Sequence, residues 1–257
     1  MQSESFATRT FTVDDPDARL RVPGSLLEFV REGPDFRRIP RGTRVHIAEI
    51  AIVPVSTRDR IVFGHAVGTN RAALGWTSTR NLAGRFVNET LGEVPPPAGT
   101  GRYGPNAAWQ GGTFIGQRTL VRIVDARLEI EHVALDTLGA YQALCAAAAA
   151  DGVAITLNSG FRSYAEQKRL HEDYTRDPSR FPRAAEPGSS NHQNGIAFDI
   201  AVAGGAGNPT YDWLARHATA HGFVRTVSKE PWHWEHDPAK AAKAAQRGTF
   251  TTPNVRI

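Results

Sequence analysis

The stretch Ser190–Asp199, SNHQNGIAFD, constrains this chain more than any other, and it has a counterpart downstream in Glu230–His236, EPWHWEH. Together they hold two imidazoles, one carboxylate suited to a metal and a second suited to proton transfer. Zinc in hydrolytic enzymes typically takes three protein nitrogen or oxygen ligands and keeps a further position for water. His192, Asp199 and His233 would fill the protein's share of one Zn²⁺ ion, which leaves one corner open.

Side-chain parity places these residues. In Gly195–Val202, GIAFDIAV, the residues alternate with strand period: Ile196, Phe198 and Ile200 point to a core, and Ala197, Asp199 and Ala201 point the other way. Asp199 thus stands between two methyl groups, low enough for a metal and a substrate backbone to approach. His192 precedes it by an odd offset, so strict alternation excludes it from the same strand face, and the loop-like SSNHQN places it on the entry to the strand. Glu230 and His233 differ by three positions. The second strand is therefore predicted to begin after Pro231, with Glu230 left on the preceding turn, where it can take a proton from water at the open corner as general base.

The pattern SxHxxGxAxD followed by ExxH resembles the signature of the VanY-type D-alanyl-D-alanine carboxypeptidases, zinc peptidases whose core is shared with phage endolysins and the hedgehog domain. In that family the first histidine, the aspartate and the last histidine bind zinc and the glutamate is the base. By matching, the resemblance implies His192, Asp199 and His233 as ligands and Glu230 as base. SGFRS, Ser159–Ser163, is similar to the family's SGYRS element, with Phe161 in place of tyrosine. That similarity implies a substrate-carbonyl contact for Arg162, and further substrate contacts for Gln167 and Ser190. The implied activity is zinc-dependent peptidoglycan peptidase, foremost removal of the terminal D-alanine of stem peptides. An endopeptidase built on the same core is the first alternative, and a zinc-containing wall-binding module without activity is the second.

The remainder sets the organisation. A chain of 257 residues with 22% charged residues is long enough for two modest domains. Its net charge of +4 is spread rather than massed, which argues against nucleic acid and for an anionic wall polymer. One cysteine, Cys145, excludes an intrachain disulfide. No apolar run has signal-peptide or membrane-spanning length, so the expectation is a chain cytoplasmic as synthesised that acts in the periplasm or at the wall after lysis or dedicated export.

Residues 1–91 read as a small all-β module: short apolar runs lie between turn signals, and PRGTRVHI (Pro40–Ile47) and GWTSTRNL (Gly75–Leu82) resemble bacterial SH3-like repeats. Trp76 is expected in its core, and wall contact is this module's expected role. Residues 92–112 are rich in proline and glycine and read as a linker. Residues 113–257 are predicted to form the zinc peptidase domain, α+β, with a central antiparallel sheet and flanking helices. Within it a helix is expected over Leu128–Asp151, and the S-x-x-E of Ser163 and Glu166 predicts a capping box opening another. Asn208-Pro209 opens a further helix, and a short exposed helix with a frayed tail ends the chain.

Overall fold

A computed structural model of the protein describes residues 2–21, 36–54, 60–67, 73–83, 88, 90–126 and 130–255. It divides into two units, Met1–Leu91 with Val124–Ile130, and Gly92–Ile123 with Glu131–Ile257.

The first unit carries a seven-stranded antiparallel sheet, in the order Phe36–Arg38, Arg19–Arg21, Ala73–Ser78, Arg60–Val67, Arg44–Pro54, Gln2–Val13 and Leu82–Ala83. Alternation puts Val45 and Ile47 into the core beside Val13, Leu20 and Ile39. A register shift between Ile47 and Ile50 lets Ile50 point inward as well. The amino-terminal strand Gln2–Val13 was not expected from the sequence, because its polar residues hide the pattern that Phe11 and Val13 complete. Trp76 is buried as expected and stacks on His65 with ring centroids 4.9 Å apart. His46 bonds to Thr10 Oγ1 at 2.8 Å, an ordinary cross-strand partner. The turn signals expected within residues 22–35 lie outside the described residues.

The second unit is built on a four-stranded antiparallel sheet in the order Leu157–Ser159, Ala197–Ile200, His233–His236, Phe223–Val224. Phe198 and Ile200 enter the core with Tyr141, Leu144, Leu157, Phe223 and Trp234. The helix Leu135–Ala150 covers this core through Thr137, Tyr141, Leu144 and Ala148. It starts later than the sequence suggests, since Ile130–Ala134 is a strand, with Ile130 and Val133 buried. The helix Tyr164–Arg176 opens with the predicted capping box: Ser163 Oγ accepts from the Glu166 backbone, and the Glu166 carboxylate accepts from the Ser163 backbone. Asn208 caps Pro209–His217 by accepting from the Thr210 and Tyr211 amides.

Two expectations change here. Ala107–Gln110, read as the end of a linker, is a strand with Ala107, Ala108 and Trp109 buried, and the preceding loop is anchored by Asn106, whose Nδ2 donates to the Val94 and Arg118 carbonyls at 2.9 Å. Burying an amide that finds both acceptors is cheap, so the stretch packs rather than swings free. The tail also docks instead of fraying. Thr251 bridges to Arg225, and Phe250 stacks on Trp234 with centroids 5.8 Å apart. No helix among the described residues is long and apolar enough to cross a membrane.

Candidate metal centre

The site forms where two neighbouring strands and one loop present donors to the same point. Asp199 and His233 are directly opposed across the Ala197–Ile200 and His233–His236 strands, which brings their side chains together on one face. His192 arrives from a single 3₁₀ turn, Asn191–Gln193, placed just before the Asp199 strand, as parity requires. Gly195 in that connection has φ +85° and lies so close to Ala134 that a Cβ would sit 2.8 Å from its methyl carbon, so only glycine fits.

The distances are those of a chelating cluster. His192 Nε2 is 3.3 Å and His233 Nδ1 3.1 Å from the same atom, Asp199 Oδ1. One ligand atom from each of the three residues lies within 4.8 Å of the others. The two imidazoles therefore face the cluster through different nitrogens. For His192 the choice is enforced from behind, because Nδ1 donates to the Gly160 carbonyl at 2.7 Å and leaves Nε2 free.

The electrostatics fit a cation. Burial lowers the pKa of His192 against the pull of Asp199, so this ring is held neutral, the form that binds metal. Burial would also lower His233, but hydrogen bonds to Asp199 and Glu235 outweigh it and raise its pKa to about 9. Asp199 is held well below the usual carboxylate range: burial opposes this, and the two histidines overcome it. The proton on His233 thus stands in for positive charge that the surrounding carboxylates demand. Two imidazole nitrogens and one carboxylate oxygen, with Gly160 bracing one ring, form a donor set suited to Zn²⁺.

Glu230 lies on the turn before the His233 strand, more than a third exposed, with Oε2 3.9 Å from His233 Nδ1. The preceding Lys229 has φ +65°, a left-handed conformation that a non-glycine residue rarely adopts, and it turns the chain sharply just before Glu230. Arg162 follows the Leu157–Ser159 strand. Its backbone amide donates to the His192 carbonyl at 3.1 Å, and its Nη1 donates to Gln167 Oε1 at 2.8 Å.

Residues 131–239 match the family model described as VanY, D-alanyl-D-alanine carboxypeptidase. This segment is similar to VanY-type domains. A D-alanyl-D-alanine carboxypeptidase of Enterococcus faecalis is 33% identical, with the match covering 39% of this chain and 47% of that protein. The putative carboxypeptidase YodJ of Bacillus subtilis is 26% identical over 49% of this chain and 54% of its own length. The chain thus spans about half the length of the curated relatives it matches. Among solved structures, VanYB in complex with D-alanine-D-alanine is 28% identical with a TM-score of 0.40, covering 46% of this chain and 79% of that one. The LdcB LD-carboxypeptidase is 26% identical with a TM-score of 0.38, covering 46% and 64%.

Within the matched segment, His192, Asp199 and His233 converge, and Glu230 and Arg162 border them. Gln167 behaves differently from the substrate contact anticipated for it. It is wholly buried, and both ends of its amide are used: Oε1 by Arg162 and Nε2 by the Ala185 carbonyl at 2.6 Å. It positions the guanidinium. Ser190 is nearly buried on the approach to His192, with its carbonyl accepting from the Gln193 amide. The polar loop of residues 177–190 is pinned at Ala184 by His171, at Ala185 by Gln167 and at Gly188 by the Gly112 amide. His236, on the opposite face of its strand from His233, packs on Phe223. His217 and His221 both stack on Trp213. The residue that sequence reasoning passed over is Glu235, whose Oε1 is 3.4 Å from His233 Nε2. The signal was present, since alternation puts Glu235 on the face of His233.

Proposed function

We propose that the domain is a zinc-dependent peptidoglycan peptidase that removes the terminal D-alanine from stem peptides. The observation that carries the reading is the convergence of His192 Nε2, Asp199 Oδ1 and His233 Nδ1, with the Glu230 carboxylate beside them, inside a segment matching the VanY family. Zinc held by those three atoms supplies a Lewis acid that acidifies water and polarises a carbonyl. Glu230, exposed enough to meet solvent and substrate, takes the proton of the attacking water and returns it to the leaving amine. Arg162, held by Gln167 against rotation, offers its guanidinium to the carbonyl oxygen as that oxygen gains charge. Ser190 is the remaining candidate for a substrate contact. For the first unit, the resemblance of residues 40–47 and 75–82 to SH3-like repeats makes contact with the wall the companion reading, measured by co-sedimentation with purified sacculi.

Incubation with purified muropeptides, read by mass spectrometry, is expected to show loss of one terminal alanine. Cleavage inside the stem or crossbridge would replace this reading with an endopeptidase, and zinc binding without any product would replace it with a binding module. Glu230→Gln is expected to keep zinc and to lose at least about 10²-fold in rate, the scale of removing a general base. Full activity in that variant would remove Glu230 from the mechanism.

A further inference from the structure

Glu235 is a side chain only 1% exposed, yet it carries a carboxylate. A buried charge is costly unless paired and hydrogen-bonded, so what surrounds it indicates its task. Asn191 Nδ2 and Thr226 Oγ1 both donate to Oε1, the oxygen that also faces His233 Nε2. Lys240, from the helix Pro238–Gln246, reaches within 3.6 Å of Oε2, which makes no hydrogen bond of its own. Each donor to Oε1 belongs to a segment that serves the metal centre. Asn191 is the residue before His192, and Thr226 begins the connection that leads through Lys229 to Glu230.

We propose that Glu235 is the positioning residue of the metal centre: it fixes the His233 ring with Nδ1 turned to Asp199 and ties the His192 turn and the Glu230 turn to the same oxygen. A ring that gives Nδ1 to a metal must carry its proton on Nε2, and Oε1 of Glu235 is the acceptor waiting there. Outer carboxylates of this kind orient ligand histidines and raise their basicity. The arrangement also makes two backings of different kinds. His192 is braced by a main-chain carbonyl that substitution cannot delete, and His233 by a side chain that it can. The inference rests on the zinc reading above and adds a residue to it.

The test is zinc affinity, measured by competition with a chromophoric chelator on the full chain, together with the visible spectrum of the cobalt-substituted protein. Glu235→Gln is expected to stay folded when metal-free, to bind zinc about 10–100-fold more weakly than the parent, and to shift the cobalt bands. Lys240→Met, which removes the ion pairs to Glu235 Oε2 and to Asp237 and leaves the bonds to Oε1 in place, is expected to weaken zinc binding less than Glu235→Gln. A folded Glu235→Gln protein with parental affinity and an unchanged cobalt spectrum would overturn the inference, as would a Lys240→Met protein equally impaired, since Glu235 would then serve only the last helix. If Glu235→Gln does not fold, the Thr226→Val, Asn191→Ala pair keeps the carboxylate but removes two of its bonds. Reduced affinity in the pair supports the proposal and parental affinity refutes it. Failure of the parent chain itself to bind zinc would instead sink the functional reading on which all of this stands.

Discussion

Gly160 lies in the SGFRS element, and its role can be tested by adding one methyl group. A Cβ there would stand 2.2 Å from the His132 carbonyl oxygen and 3.2 Å from Val133 Cγ1. The first contact is with backbone, so no side-chain rotation relieves it, and the two segments must part by over an ångström to reach ordinary contact at 3.4 Å. Overpacking of this kind costs about 1–3 kcal/mol. The same displacement moves the carbonyl that braces His192 Nδ1, so zinc affinity should fall together with stability. Gly139 supplies the opposite case. It sits inside the helix Leu135–Ala150 with nothing within 4 Å of an added Cβ, and Gly139→Ala should stabilise by about 0.5–1 kcal/mol through helix propensity alone. Urea unfolding followed by tryptophan fluorescence suits both variants, because four of the five tryptophans, Trp109, Trp213, Trp232 and Trp234, lie in the second unit. A Gly160→Ala protein as stable as its parent, with zinc affinity intact, would refute the argument that this backbone contact sets the position of His192.

Two further outcomes follow from local chemistry. Burial pushes the Cys145 thiol from an ordinary value of 9.0 up to about 11, despite the opposing hydrogen bond from Tyr141. Its neutral form is favoured in the fold, so the stability it contributes is complete below pH 9 and is lost as pH rises towards 11; iodoacetamide should label it at pH 8 only in denaturant, and rapid labelling of the native protein would contradict its burial. Asn208→Ala removes the acceptor for two amides of the helix Pro209–His217 and should cost about 1 kcal/mol in the same urea experiment; no change would mean that water replaces the cap freely.

The parts of the site legible in the sequence were those governed by local periodicity. Alternation in Ala197–Ile200 fixed which way Asp199 points, the odd offset put His192 in a turn, and the three-residue gap left Glu230 ahead of its strand. The S-x-x-E and Asn-Pro signals marked two helix starts because a cap is a bond between near neighbours in the chain. What escaped notice depends on partners distant in sequence. Gln167 is buried by Arg162 and by a carbonyl 18 residues away, a relation that no helical pattern encodes. Residues 107–110 have the composition of a linker on their proline-rich side, and only the packing of Trp109 against Tyr103 and Tyr164 shows that they belong to the folded unit. Phe250 looked like part of a loose end because Trp234 and Tyr211, which receive it, precede it in the chain.

The direct opposition of Asp199 and His233 has an outcome for how the sheet assembles. Side chains on neighbouring strands swap faces with every residue of sliding, so a zipper closed one notch out would turn Phe198 towards the ligands and hide Asp199 among hydrocarbon. Such a sheet offers an ion nothing to grip. A metal held by these residues would therefore audit alignment: among the pairings the nascent strands can try, chelation would reward one alone.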